Sequence, residues 1–257
     1  MSQFNLPSIF LNKPFAHRGL HGKDIIENSL ESINEAIISG YGIEVDIQAL
    51  NDGSPIIFHD DHLDRLTNKE GKVANLKPND LAEVKLLNGK KIPQLEELLK
   101  FVDGRVPILI EVKYQNGIME LPASDFLNKV AAKINKYTGP LAIMSFNPII
   151  VEAFQTFCPS FPRGLVTDDF FSPEWEFLEK QEKKLLCELN FSKKIKLDFI
   201  SHNVKKNHSS QIHIARRENL PMLCWTVRSK SEESLARKTF HNITFEGFLP
   251  DFLVSMG

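Results

Sequence analysis

The 257-residue chain is 42% hydrophobic and 25% charged, the make-up of an ordinary water-soluble fold, and its length suits one large domain or two small ones. A formal net charge of −2, with no long run of either sign, excludes a general nucleic-acid binder and a polybasic membrane surface. No apolar run is long enough for stable membrane insertion, residues 1–13 lack a basic stretch followed by an apolar one, and the scattered Cys158, Cys187 and Cys224 read as reduced thiols, so a cytoplasmic location is expected.

Strand-like and helix-like segments alternate from the start. Residues 14–17 form a short strand candidate. Residues 28–39 predict a helix: Leu30, Ile33, Ile37 and Ile38 recur at near-helical spacing, Glu27-Asn28-Ser29 offers capping side chains, and Gly40 ends it. Residues 43–50 predict a strand, with Ile43, Val45 and Ile47 on one face and Glu44, Asp46 and Gln48 on the other. Asn51-Asp52-Gly53 is a turn signal before a short strand at 55–58. The stretch 60–91 is polar, weakly periodic, and reads as an excursion from the main fold.

Beyond it, helices are predicted at 93–102, 126–137, 148–157, 174–189, 210–218 and 231–239. Strands at 107–112, 141–145, 164–167, 197–201, 222–227 and 243–245 interleave with them. Alternating β and α units imply a parallel sheet covered by helices. Close to eight such units in a chain of this length point to an α/β fold, a closed (β/α)8 TIM-type barrel. The open doubly wound alternative usually carries a glycine-rich phosphate loop after its first strand, and none is present here.

In such a barrel, functional side chains gather at the carboxyl ends of the strands. His17 and Arg18 end the first strand, Glu44 and Asp46 share a face of the second, and His59 follows the extra strand. Glu111 and Lys113 repeat the same-face spacing on a later strand. Glu44, Asp46 and Glu111 make an all-oxygen set suited to a hard divalent cation, Mg²⁺ or Ca²⁺. Arg18 and Lys113 suit a phosphate group, and two histidines suit a division of acid and base work. Taken singly, each short motif is more often a turn or a surface ion pair; their order and placement change the odds.

The run His17-Arg18-Gly19, Glu27-Asn28-Ser29, Glu44-Val45-Asp46, Asp52-Gly53, His59-Asp60 and Arg65-Leu66-Thr67 resembles the glycerophosphodiester phosphodiesterase family. The resemblance continues through Ile92-Pro93-Gln94-Leu95-Glu96-Glu97, Glu111-Val112-Lys113 and Trp225-Thr226-Val227. It implies one barrel domain over 1–257 with a small insertion after the second strand, at about 52–91. It also implies metal-dependent hydrolysis of a small-molecule glycerophosphodiester to sn-glycerol 3-phosphate and an alcohol. By position, His17 and His59 match the family's catalytic pair, Glu44, Asp46 and Glu111 its metal ligands, and Arg18 and Lys113 its phosphate contacts. Trp225 matches an aromatic lining the pocket, with a core tryptophan under the rim as the alternative. Glu27 and Asn28 are read as site or capping residues.

Two departures bear on the alcohol side of the pocket. Arg228 stands where family members often have Asn, and is read as a solvent-facing loop residue that would disfavour a cationic headgroup if it pointed inward. Gly247-Phe248-Leu249-Pro250 stands where many have Thr-Asp-x-Pro. Two other readings stay open: a phospholipase D-like enzyme acting on lysophospholipids through the same site, and a non-catalytic barrel binding phosphorylated metabolites.

Overall fold

The computed structural model describes residues 5–113, 117–122, 124–191 and 195–252. Chain order gives helix α1 (Ile9–Asn12), strand β1 (Phe15–Ala16), α2 (Leu30–Ile38), β2 (Gly42–Ala49), β3 (Pro55–Ile57), α3 (Leu95–Val102), β4 (Ile108–Val112) and α4 (Ser124–Ile134). Then come β5 (Leu141–Ser145), α5 (Pro148–Phe157), β6 (Arg163–Thr167), α6 (Lys180–Glu188), β7 (Phe199–Asn203), α7 (Ser210–Arg217), β8 (Met222–Val227), α8 (Lys230–Ala236) and β9 (Asn242–Phe245). Eight strands pair in parallel and close on themselves, because β1 pairs with both β2 (Phe15 opposite Gly42) and β9 (Phe15 opposite Thr244). This is the expected (β/α)8 barrel. The ninth strand, β3, folds back antiparallel on β2 with Ile47 opposite Ile57.

Alternation along each strand sorts its side chains into two cores. Ile43, Val45 and Ile47 of β2 and Ile108, Ile110 and Val112 of β4 point outward, under Leu95 and Leu98 of α3 and Phe126 and Val130 of α4. Leu109, Ala142, Met144, Val166, Phe199 and Leu223 point inward and pack with Leu6, Phe10 and Phe15. The short helix α1, which the sequence pattern did not announce, brings Phe10 to this inner cluster. Each such buried ring contributes ~1.5–3 kcal/mol. Room for them comes from small inward neighbours: a Cβ on Gly164 would lie 2.2 Å from the Phe199 ring. Apolar groups thus fill the interior toward the strand starts, and inward carboxylates take over higher up.

The predicted helix at 174–189 is interrupted. A short turn at Pro173–Trp175 precedes α6, because Trp175 is buried: its Nε1 donates to Asp168 Oδ2 (3.3 Å) and its ring packs on Phe146. A reciprocal cap between Glu179 and Glu182 then restarts the helix. The excursion at 60–91 carries its own small apolar cluster, in which Leu63, Val73, Leu81, Val84 and Leu86 pack on Leu50, Ile56 and Phe58. Among the described residues, no helix is long and apolar enough to cross a membrane.

Candidate active site

The turn after β1 is shaped by its backbone. Arg18 and Gly19 both have positive φ, 56° and 78°. A Cβ at Gly19 would lie 2.4 Å from Ser32 Oγ, so only glycine lets this turn press against the start of α2. The turn aims the Arg18 amide at Glu44 Oε2 (2.9 Å). Ser29, not Glu27 or Asn28, caps α2 through its side chain. Asn28 instead donates its Nδ2 to Asp46 Oδ2 (2.9 Å), and its Oδ1 accepts from the Asp46 amide (3.3 Å).

Parallel register sets Asp46 of β2 beside Glu111 of β4, with Glu44 two residues below Asp46 on the same inner face. All three are buried, and one carboxylate oxygen from each lies within 4.8 Å of the others. Burial, and then the Asp46 and Glu111 charges, push the Glu44 carboxyl well above the usual range. Burial opposes ionisation of Asp46 too. There the His59, Lys113 and Arg18 charges and the Asn28 hydrogen bond prevail and hold its carboxyl well below the usual range. Lys113 Nζ donates to Glu111 Oε1 (3.1 Å) and stands 3.8 Å from Asp46 Oδ1. Arg18 Nη1 donates to Glu27 Oε1 (2.6 Å), while its buried Nε, 3.4 Å from Asp46 Oδ2, has no hydrogen-bond partner among the described residues.

The histidines stand at the edges of this group. Gln48 Nε2 donates to the carbonyls of Phe58 (3.2 Å), His59 (2.7 Å) and Asp60 (2.7 Å), pinning the turn that presents His59. His59 Nδ1 lies 2.8 Å from Asp60 Oδ1, and Asp60, held at about 2 by Arg65 and His59 against its burial, bonds Arg65 in turn. Arg65 also reaches Glu27, which links the His59 side to Arg18. His17 Nδ1 lies 3.0 Å from Glu246 Oε2. Burial lowers the His17 pKa, the adjacent Arg18 charge adds to that, and Glu246 opposes it.

His17, Arg18, Glu44, Asp46, His59, Glu111, Lys113 and Trp225 therefore line one pocket of about 70 Å³, together with Met144, Phe146 and Thr244. Trp225 donates its Nε1 to the Ser201 carbonyl (3.1 Å) and meets Phe146 edge to face at 5.5 Å. It is a wall of this pocket, not a tryptophan sealed under the rim. Flanking hollows open on both sides: one of about 400 Å³ beside His59, Asp61 and Lys113, and one of about 180 Å³ beside His17, Lys205, Trp225 and Arg228. A larger hollow of about 590 Å³ lies outside the barrel between α3 and α4 and shares no residue with the site. The cysteines stay apart: burial raises all three thiols, Cys158 to about 11, so none is a ready thiolate near neutral pH.

Glu246, Thr244, Phe146 and Met144 were not singled out from the sequence. Thr244 and Glu246 have the two-residue spacing of Glu44 and Asp46, a signal that was available. Arg228 is 53% exposed, as a solvent-facing loop residue should be, and its Nη2 also donates to Glu246 Oε2 (3.0 Å) at the rim of a flanking hollow. Gly247-Phe248-Leu249-Pro250 leaves the pocket: Phe248 packs on Phe245, and the Pro250 carbonyl accepts from the Tyr41 hydroxyl (2.8 Å).

Comparison with known proteins agrees with this architecture. The chain is 26% identical to YhdW of Bacillus subtilis over 256 residues, 94% of this chain and 96% of that protein. It is 29% identical to a glycerophosphodiester phosphodiesterase of Caldanaerobacter subterraneus over 178 residues, 65% of this chain and 71% of that one. Its fold matches an Oleispira antarctica phosphodiesterase, whose structure holds the product sn-glycerol-3-phosphate, with a TM-score of 0.70 at 20% identity over 92% of this chain and 93% of that one. It likewise matches a glycerophosphodiester phosphodiesterase of Thermotoga maritima, with a TM-score of 0.67 at 19% identity over 91% and 94% of the two chains. Residues 17–253 match the model of the glycerophosphoryl diester phosphodiesterase family, and the chain is an enzyme of that family.

Proposed function

We propose that this chain, acting as one barrel domain with the 52–91 insertion, hydrolyses glycerophosphodiesters to sn-glycerol 3-phosphate and an alcohol, with His17 and His59 as acid and base. The observation that carries this reading is the three-carboxylate cluster with a histidine and a cation on either side, at the carboxyl ends of the barrel strands.

The donor set fits a hard divalent cation: three buried carboxylates, no thiolate, and one of them, Glu44, forced upward by its neighbours. Glu44, Asp46 and Glu111 would hold the ion, Mg²⁺ or Ca²⁺, which when bound offsets charge on a nonbridging phosphate oxygen. Arg18, with its unsatisfied buried Nε, and Lys113 bind the same phosphate. Both histidines spend Nδ1 on a carboxylate, so Nε2 is the nitrogen left for substrate.

The substrate's neighbouring glycerol hydroxyl attacks phosphorus, an attached nucleophile with a large proximity advantage over water. His17, kept neutral by burial, takes that proton at Nε2, and His59 protonates the departing alcohol oxygen. Water then opens the cyclic phosphate with the roles reversed. Three buried or half-buried thiols without a disulfide suit a cytoplasmic setting.

The test is a panel of glycerophosphodiesters assayed with EDTA and after restoring Mg²⁺ or Ca²⁺, alongside substrates lacking the free 2-hydroxyl. Activity lost with EDTA, restored by one ion, and absent in His17→Ala and His59→Ala is expected. Turnover that survives both substitutions would exclude the histidine assignment. Undiminished turnover of the deoxy substrate would exclude internal attack.

A further inference from the structure

We infer that Glu246, anchored by Arg228, is a positioning residue for His17. This deepens the functional reading above and rests on it. Glu246 directly follows β9, and its amide still donates to the Val227 carbonyl (2.9 Å), so its backbone is held by the barrel ladder. Its side chain turns to the pocket edge, where Oε2 receives two groups at once: His17 Nδ1 at 3.0 Å and Arg228 Nη2 at 3.0 Å.

An ionised carboxylate only accepts, so the His17 proton is fixed on Nδ1 and the Nε2 lone pair is left for the pocket. Without that acceptor the neutral ring is free to place its proton on either nitrogen and to rotate, and the base-competent population falls. Arg228 cannot do this alone, because it carries no acceptor. Its guanidinium is steadied by the Thr226 carbonyl (3.4 Å) and its amide by Glu232 Oε2 (2.6 Å), so it fixes the carboxylate that fixes the imidazole. The relay is built from three separate segments of chain that meet only where the barrel closes, β9 against β1 and β8 against β9.

Because both donors converge on the same oxygen, an amide oxygen can take its place. Glu246→Gln can offer Oε1 to both groups and turn its NH₂ to solvent. Glu246→Ala cannot. A general base contributes about 10²–10⁴-fold, so losing its orientation without losing the ring is expected to cost kcat about 10–100-fold. KM should stay within about threefold, since Glu246 touches neither phosphate-binding residue.

The experiment compares kcat and KM for wild type, Glu246→Ala and Glu246→Gln. Ring ¹⁵N NMR of His17 accompanies it, on protein whose unfolding midpoint shows that it is folded. Expected are a kcat-specific loss in the alanine variant, recovery of most of it in the glutamine variant, and a His17 ring protonated at Nδ1 in wild type but mixed in Glu246→Ala. Wild-type kcat in Glu246→Ala, an equal loss in Glu246→Gln, or an unchanged His17 tautomer would overturn the assignment. Wild type inactive on every glycerophosphodiester would instead defeat the functional reading, and the NMR measurement would still decide the role of Glu246.

Discussion

Asn28 offers the sharpest test of how the acidic cluster is held together. It is 2% exposed, sits at φ 55°, donates to Asp46 Oδ2 at 2.9 Å and accepts from the Asp46 amide at 3.3 Å. Asn28→Ala removes two hydrogen bonds and adds backbone strain. A hydrogen bond to a charged carboxylate contributes about 1.5–3 kcal/mol, and the neutral amide bond about 1 kcal/mol. Placing a Cβ-bearing residue without a compensating side-chain bond in the left-handed region costs about 1 kcal/mol more. The sum is about 3.5–5 kcal/mol, a large share of the ~5–15 kcal/mol that a folded chain typically has. Asn28→Gly loses the hydrogen bonds but not the backbone conformation, so it should be about 1 kcal/mol less damaging.

Urea denaturation at neutral pH in EDTA measures both variants, provided the slope of the transition is unchanged. The gap between glycine and wild type reports the hydrogen bonds together with the greater chain entropy of glycine, and the gap between alanine and glycine reports the backbone strain. An alanine variant within about 1 kcal/mol of wild type, or a glycine variant no better than alanine, would refute this account.

Two further predictions concern other carboxylates in and around the site. Glu44→Gln removes a buried acid that burial and its neighbours disfavour, while an amide oxygen can still accept from the Arg18 amide, so in EDTA its thermal midpoint should equal or exceed that of wild type. Its gain on adding Mg²⁺ or Ca²⁺ should shrink, and a wild-type gain would remove Glu44 from the ligand set. Asp60 and Glu246 are held at about 2, below their ordinary 3.8 and 4.5. A depressed folded-state value means stability fully present above the unfolded value and lost as pH falls toward 2. Glu246→Gln should therefore flatten the fall in urea midpoint between about pH 4.5 and pH 2, and an identical fall in variant and wild type would contradict the Glu246 environment described above.

Much of the barrel was legible because its signals are local. Alternation of Ile43, Val45 and Ile47 against Glu44 and Asp46 needs only the two-residue period of a strand, and both faces are where that period puts them. The apolar stripe Leu95, Leu98, Leu99 and Val102 likewise announced α3, all four being buried. The misread segments are those in which tertiary contacts overrode local preference. Trp175 broke a predicted helix because its ring had a place against Phe146 and its Nε1 a partner in Asp168. Of the two roles open to Asn28, site contact or capping, the fold uses the first, through its bonds to Asp46. Helix α1 has four residues and no periodicity to display, and is held by packing of Phe10 on Phe15.

By itself, the sequence determined the alternating units, the inward face of β2, and the residue types suited to a hard cation and a phosphate. Only the tertiary structure decided which of those groups meet. Lys113 pairs with Glu111 through local spacing, but Asp46 meets Glu111 through strand register, and His17 meets Glu246 across 229 residues of chain. That last contact exists because β9 closes the barrel beside β1, and closure is a property of all eight strands together. No window of sequence contains it, since side-chain periodicity reports which face a residue takes, not which distant residue faces it.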